Sequence, residues 1–361
     1  MGCATAYFLA AAGVRVVLLE QNRIGGVPSA SGASAAIVEA LAGSPTPLAD
    51  QAQLSRRLLT DLAPELRELT GIDPEYQRLG TIRLAYSDAE AEALRTRVAP
   101  LYAELDEPTV WLDARALRGA EPAVSEQLRG GLYVPSSNGL YAPKYVRALA
   151  AGAARRGADI VEGLPVTGFD VEGSRVAAVH TIAGAIPAGQ VLLATGAWTG
   201  IVSRWLGQPL PIGPQRGQIM ALAPQPGQPR VAHILHGPGG YAIPKANGTA
   251  CIGATHEFVG FDARVTTYGI KFLADLALRL APGLETATLR HVWMGFRPIP
   301  LQGEMPAVGK LPPFDNVYVA AGHGAIGVTV SAAVGHTLAQ LMRGEPPDLP
   351  LDPFAPTRAV G

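Results

Sequence analysis

The stretch MGCATAYFLAAAGVRVVLLEQ constrains the fold more than any other part of the chain. From Gly2 to about Ala12 the Ala-rich letters read as a buried helix, and Gly13 closes it. VRVVLLE then reads as a strand ending in Glu20. A helix running straight into such a continuous apolar strand suits a parallel sheet covered on both faces. A glycine at a helix N-terminus leaves room for a pyrophosphate, and an acid roughly 20 residues later is placed to accept hydrogen bonds from a ribose. Gly2 and Glu20, with Gln21 beside the acid, have that spacing. An ordinary βα unit carries the same letters and stays open. On the nucleotide reading Gly2 is the last glycine of G-x-G-x-x-G. The first two glycines and the first strand are then expected upstream of Met1, and this form is expected to hold its nucleotide poorly.

At 361 residues the chain is long enough for two domains and a large core. Its formal net charge of −1 gives no electrostatic footprint for nucleic acid or an acidic membrane face. The apolar stretches break well short of the roughly 20 residues of a membrane span. Cys3 and Cys251 fit no metal or redox spacing, so they read as structural thiols of a reduced cytoplasmic protein. Assembly into a homo-oligomer is left open.

Further along, LSRRLLTDLAPELRELTG places Leu54, Leu58, Leu62, Leu66 and Leu69 at helical spacing. TIRLAY and GLYVP read as short strands, with polar helical material between them. From Pro143 the reading returns to βαβ: a helix PKYVRALAAGAARRG, a strand ADIVEG, a hairpin VTGFDVEGSRVAAVHT and a strand QVLLATG. Residues 214–300 alternate as strands around one helix near 266–280. NVYVAAGHG is a strand entering a Gly-rich turn, and SAAVGHTLAQLM is the last helix. The segments interleave, α/β over 1–75, 140–205 and 300–361 and antiparallel-rich over 76–139 and 206–299.

The C-terminal stretch WMGFRPIPLQGEMPAVGKLPPFDNVYVAAGHGAIGVTVSAAVGHTLAQLM resembles the signature of the D-amino-acid oxidase superfamily of flavoproteins. That signature is a W-x-G-x-R-P strand, a P-x-x-G turn and a G-H-x-x-x-G loop before the last helix. VLLATGAWTG resembles the second nucleotide segment of that family, and PQRGQIMAL its P-x-R-G-Q strand. GYAIPKANGTACIGATHEFVGFD is most similar to the glycine oxidase branch, the thiamine-biosynthesis type. The resemblance spans residues 1 to about 345. It implies an α/β fold: a discontinuous Rossmann-like FAD-binding domain without its first strand over 1–75, 140–205 and 300–361, and an antiparallel-sheet substrate domain over 76–139 and 206–299.

The resemblance also implies a non-covalent FAD and residues to hold it. Gly2 sits under the pyrophosphate, and Glu20 with Gln21 meets the adenosine ribose. Ser31, Gly32, Ser34, Ala35, Ala36 and Ile37 pass along the pyrophosphate and flavin ring, where large side chains would take the ring's space. Val166 meets adenine through its backbone. Ala194, Thr195, Gly196 and Trp198 lie at a strand end. His323, Gly324, Ala325, Ile326, Gly327, Val328 and Thr329 aim backbone N–H groups and a helix N-terminus at the pyrimidine edge, where reduction develops negative charge.

For the substrate, the resemblance implies that Arg297 clamps a carboxylate through its fork and that Tyr241 closes over the same group from the neighbouring strand. Read alone, an Arg before Pro more often makes a surface or domain-bridging salt bridge, and a strand Tyr is more often half-buried packing. The implied reaction takes a hydride from Cα of a small amino acid or amine. The resulting imine hydrolyses, and dioxygen reoxidises the flavin to give peroxide. Where glycine oxidases often carry a second Arg, this chain has Ala325, which leaves room for sarcosine or a larger D-amino acid. A dehydrogenase with a quinone or another acceptor, and an inactive truncated remnant, stay open as alternatives. His233 and His236 face opposite sides of a strand and do not make a metal pair. GASAA lacks the second Gly of a nucleophile elbow.

Overall fold

A computed structural model describes residues 1–357. The opening helix spans Gly2–Ala11 and buries Ala4, Ala6, Tyr7 and Ala10. Small residues let it approach its neighbours. A Cβ at Gly335 would lie 2.6 Å from the Ala4 Cβ, and one at Gly152 would lie 2.8 Å from the Tyr7 ring. The expected strand is shorter than VRVVLLE. It runs Val17–Glu20 and pairs in parallel with Asp159–Glu162, Glu20 opposite Glu162.

A second parallel pair sets Val191–Leu193 beside Val317–Ala321, and Ala307–Lys310 adds an antiparallel third strand. The two assemblies are separate sheets of two and three strands. An antiparallel three-stranded sheet covers residues 166–187.

The long helix Thr46–Thr70 continues through Pro64. The stripe read from sequence needs correction here. Leu62 and Leu66 are buried, but Leu54, Leu58 and Leu69 are only half-buried, while Leu48, Ala52 and Leu59 are sealed. A row of i, i+4 positions winds around a helix, and this helix changes partner along its length. Leu48 and Ala52 meet Val330 and Val334 of the last helix, whereas Leu59, Leu62 and Leu66 pack in the cluster around Tyr7 and Tyr145.

The largest sheet has eight strands, in the order Thr288–Pro300, Ile212–Ala223, Ala250–Gly253, Gly240–Pro244, Ile234–Gly237, Thr81–Ala85, Gly130–Val134 and Val110–Asp113. All of them come from residues 81–134 and 212–300. One face is core: Ile82, Met220, Leu222, Leu235 and Ile252 pack on Leu273, Leu276 and Leu280. Those leucines belong to the helix Thr267–Leu280, whose N-terminus is capped by the Thr266 side chain accepting from Gly269 N–H. Fully burying each Leu contributes about 1.5–3 kcal/mol. Side chains alternate across a strand, so the intervening residues face the other way. That second face carries the polar chemistry.

Candidate functional site

Opposed residues of neighbouring strands share a face, so the registers define one row across the sheet. Arg83 stands opposite His236, His236 opposite Tyr241, Tyr241 opposite Gly253, Gly253 opposite Ile219, and Ile219 opposite Trp293. Arg297 lies on the same face of the Trp293 strand, opposite Gln215. Tyr241 is thus not on the strand next to Arg297, as the sequence reading had it: two strands intervene.

The two side chains still converge, because glycines leave the ground between them bare. A Cβ at Gly217 would lie 2.6 Å from the Arg297 guanidinium, and one at Gly253 would lie 2.6 Å from the Tyr241 hydroxyl. Both side chains therefore lean inward across backbone that carries nothing.

Arg297 meets no carboxylate among the described residues. Its Nη1 donates to the Thr255 carbonyl at 2.9 Å and to Gln215 Oε1 at 3.3 Å, leaving Nη2 without a partner. Burial pulls its pKa down, partly opposed by Tyr241. A partly desolvated guanidinium with no carboxylate partner is a strong anion receptor, since a carboxylate repays its desolvation. Burial also pushes the Tyr241 phenol up, opposed by Arg297, so it stays protonated as a donor. Gln215 Oε1 also lies 3.1 Å from Nδ1 of the exposed His256. Burial and the nearby Arg297 lower the His256 pKa.

The small-residue loop packs directly onto this face. Ser29 caps a one-turn helix, Ala30–Ala33, inside the segment read from sequence as loop. Gly295 admits the turn, since a Cβ there would lie 2.3 Å from the Ala33 Cβ. Trp293 Nε1 donates to the Ala33 carbonyl at 3.1 Å, and Lys245 Nζ donates to the Ala35 and Leu140 carbonyls at 2.5 and 2.9 Å. Ser34 Oγ accepts from Ala36 N–H, which steadies Ala36 at a φ of 58°. Neither Trp293 nor Lys245 was singled out from sequence as an anchor. Their partners are carbonyls, which leave no sequence signature.

Most of the expected cofactor segments meet near this loop. The Thr329 hydroxyl donates to the Ile37 carbonyl at 2.9 Å. A Cβ at Gly2 would lie 3.2 Å from the Ala194 Cβ. Thr195, Gly196 and Trp198 follow the end of Val191–Leu193, beside the strand that leads to His323. Glu20 closes its strand, with Oε1 accepting from Asn22 N–H at 2.8 Å, and Gln21 is exposed. Leu164 N–H donates to the Glu20 carbonyl, which carries the chain toward Val166 at the start of the next strand. Ser31, Gly324, Ile326, Gly327 and Val328 are half-buried, and Ala325 is exposed in the turn.

These residues fit a flavin dinucleotide. The helix Gly327–Met342 begins without a side-chain cap. His323, 4% exposed, has a buried Nε2 with no partner among the described residues. Burial, aided by the Met1 ammonium, depresses the His323 pKa from 6.5 to about 3. The folded chain thus keeps His323 neutral where the unfolded chain protonates it, and stability is lost as pH falls from 6.5 toward 3. The expected slope approaches about 1.4 kcal/mol per pH unit in that window. Thermal unfolding of wild type and His323→Gln across pH 3–7 tests this; equal pH dependence in both would refute it.

Elsewhere, Arg216 is 3% exposed and pairs with Glu257 at 2.6 Å and Asp262 at 3.0 Å, fastening the 254–266 segment. His233 pairs with the buried Glu121 at 2.7 Å. A groove of 1250 Å³ beside the long helix is lined by Arg56, Glu107 and Asn138, and not by Arg297, Tyr241 or His323. No cluster of metal-ligating side chains and no helix long and apolar enough to cross a membrane occurs among the described residues.

A family model described as DAO, FAD dependent oxidoreductase, matches residues 1–341. The chain is 32% identical to the glycine oxidase of Geobacillus kaustophilus over 364 residues, covering 100% of this chain and 95% of the relative. The crystal structure of glycine oxidase from that organism superposes with a TM-score of 0.92, over 100% of this chain and 96% of the other. Iminodiacetate oxidase from a Chelativorans species superposes with a TM-score of 0.90 at 26% identity, over 98% of this chain and 96% of the other.

Proposed function

This chain belongs to the DAO family of FAD-dependent oxidoreductases, and we propose that it oxidises a small amino acid or amine in the manner of a glycine oxidase. The observation that carries this reading is the half-buried Arg297, with no carboxylate partner among the described residues, leaning with Tyr241 over the bare Gly217 and Gly253. When bound, FAD supplies a two-electron acceptor. Ser31, Gly32, Ser34, Ala35, Ala36, Ile37 and the 323–329 turn hold its flavin end. Gly2, Glu20, Gln21, Val166, Ala194, Thr195, Gly196 and Trp198 hold its nucleotide end. Residues 1–75, 140–205 and 300–361, of which 358–361 lie outside the described residues, form the cofactor part, and 76–139 with 206–299 the substrate part.

Arg297 takes the substrate carboxylate through its free Nη2, and the Tyr241 hydroxyl donates to the same group. Gln215 and the Thr255 carbonyl hold Nη1, so the guanidinium is oriented before substrate arrives. The substrates are glycine, sarcosine or a D-amino acid in the cytoplasm, and dioxygen is the acceptor, released as peroxide.

The test supplies FAD and follows oxygen uptake and peroxide with glycine, sarcosine and D-alanine. Turnover with peroxide release is the expected result. Dye reduction without oxygen uptake would make it a dehydrogenase, and protein that stays colourless in excess FAD would defeat the reading.

A further inference from the structure

Two oxygens hold Nη1 of Arg297, the Thr255 carbonyl at 2.9 Å and Gln215 Oε1 at 3.3 Å. The Gln215 bond is long, and an amide has nearly the same shape with its oxygen and nitrogen exchanged. Only the oxygen suits Arg297, because a guanidinium has donors and no acceptor. One long bond enforces that choice weakly.

His256 supplies the second constraint. Its Nδ1 lies 3.1 Å from the same Gln215 Oε1. An oxygen turned toward Arg297 needs a donor on this side too, so Nδ1 carries the proton and Nε2 the lone pair. The exchanged amide would then point its NH2 group at two donors at once, one from Arg297 and one from His256. With both in place, a single orientation of Gln215 is left.

His256 is exposed, so packing gives little reason for an imidazole here. Its backbone is nevertheless fixed on both sides. Glu257 N–H donates to the Arg216 carbonyl at 3.0 Å, and Arg216 N–H donates to the Glu257 carbonyl at 2.9 Å. Gln218 N–H donates to the Thr255 hydroxyl at 2.9 Å. Two consecutive residues of this anchored segment thus act on one guanidinium, Thr255 directly and His256 through Gln215.

We propose that His256 is a positioning residue for the carboxylate clamp, its Nδ1–H fixing the Gln215 amide so that the amide oxygen orients Arg297. The inference rests on the proposed oxidation and adds a residue to its binding step.

The experiment titrates the FAD-loaded enzyme with acetate, a carboxylate without the amine, and follows the flavin absorbance; kcat and KM for glycine are measured alongside. His256→Ala should weaken acetate binding and raise KM about fivefold while kcat stays within about twofold, the loss of one hydrogen bond acting on binding. His256→Asn, whose side-chain N–H falls near the place of Nδ1, should restore most of the affinity. In a Gln215→Leu background, His256→Ala should weaken binding no further. Nitrogen chemical shifts of the wild-type His256 ring should report the Nδ1–H tautomer.

Full affinity in His256→Ala, no rescue by asparagine, an equal loss in the Gln215→Leu background or an Nε2–H ring would each overturn the inference. The acetate titration decides it even if glycine is not turned over, and the ring shifts need neither turnover nor FAD. Should Arg297→Ala leave acetate affinity unchanged, the clamp itself falls and this inference with it. A loss in Arg297→Ala without one in His256→Ala removes His256 alone.

Discussion

Replacing Arg297 with alanine is expected to lower kcat/KM for the preferred amino acid on the order of 100- to 1000-fold, or about 3–4 kcal/mol. The carboxylate would lose a charge-assisted partner in a site where little else carries positive charge. Within the site, the Thr255 carbonyl would face the vacated space, and its oxygen repels an anion further. Most of the effect should fall on KM, because the clamp acts on bound substrate as well as on the transition state. Arg297→Lys should lie between, keeping the charge and losing the fork. The flavin absorbance at saturating FAD should be unchanged in both. If Arg297→Ala bleaches the protein while leaving substrate affinity intact, the arginine supports the fold and does not grip substrate.

Gly32→Ala should be the most damaging single-methyl change in the cofactor loop. Its Cβ would stand 2.2 Å from the Gly26 carbonyl oxygen, 2.3 Å from that carbonyl carbon and 2.8 Å from Val27 N. All three are backbone atoms, so no side chain can turn aside. Relief requires moving the Ala30–Ala33 turn off the sheet, against the Trp293 and Lys245 tethers. A cost of about 3 kcal/mol or more is expected, at the upper end for overpacking. The variant should melt several degrees lower and retain less FAD through gel filtration. Gly189→Ala is the control, since a Cβ there meets nothing within 4 Å. Equal melting and equal FAD content in the two variants would show that the loop is softer than its packing implies.

Much of the molecule is legible in its letters because local rules suffice. The helix Gly2–Ala11 follows from its run of alanines, the strand ending at Glu20 from its unbroken apolar run, and the helix Thr267–Leu280 from its apolar spacing. The C-terminal motif carries the family. Long-range register is what the letters hide. Nothing in GYAIP or GFRP says that two strands separate Tyr241 from Arg297, or that Gly217 and Gly253 let their side chains meet. Anchors that work through carbonyls are equally silent, so Lys245 and Trp293 become visible only once the loop is folded onto the sheet. Gln215, His256 and Arg297 are spread over 82 positions and share a neighbourhood only through strand order.

The alternation of the eight-stranded sheet has an evolutionary consequence. On the Ile212–Ala223 and Ala250–Gly253 strands, Ile219 and Gly253, in the row of Tyr241 and Trp293, interleave with Met220, Leu222 and Ile252, which seal the hydrophobic layer under Thr267–Leu280. An exchange on the polar face can therefore change what that face presents without thinning the layer beneath it. Sequence change can thus accumulate on one side of the sheet while the packing on the other is kept.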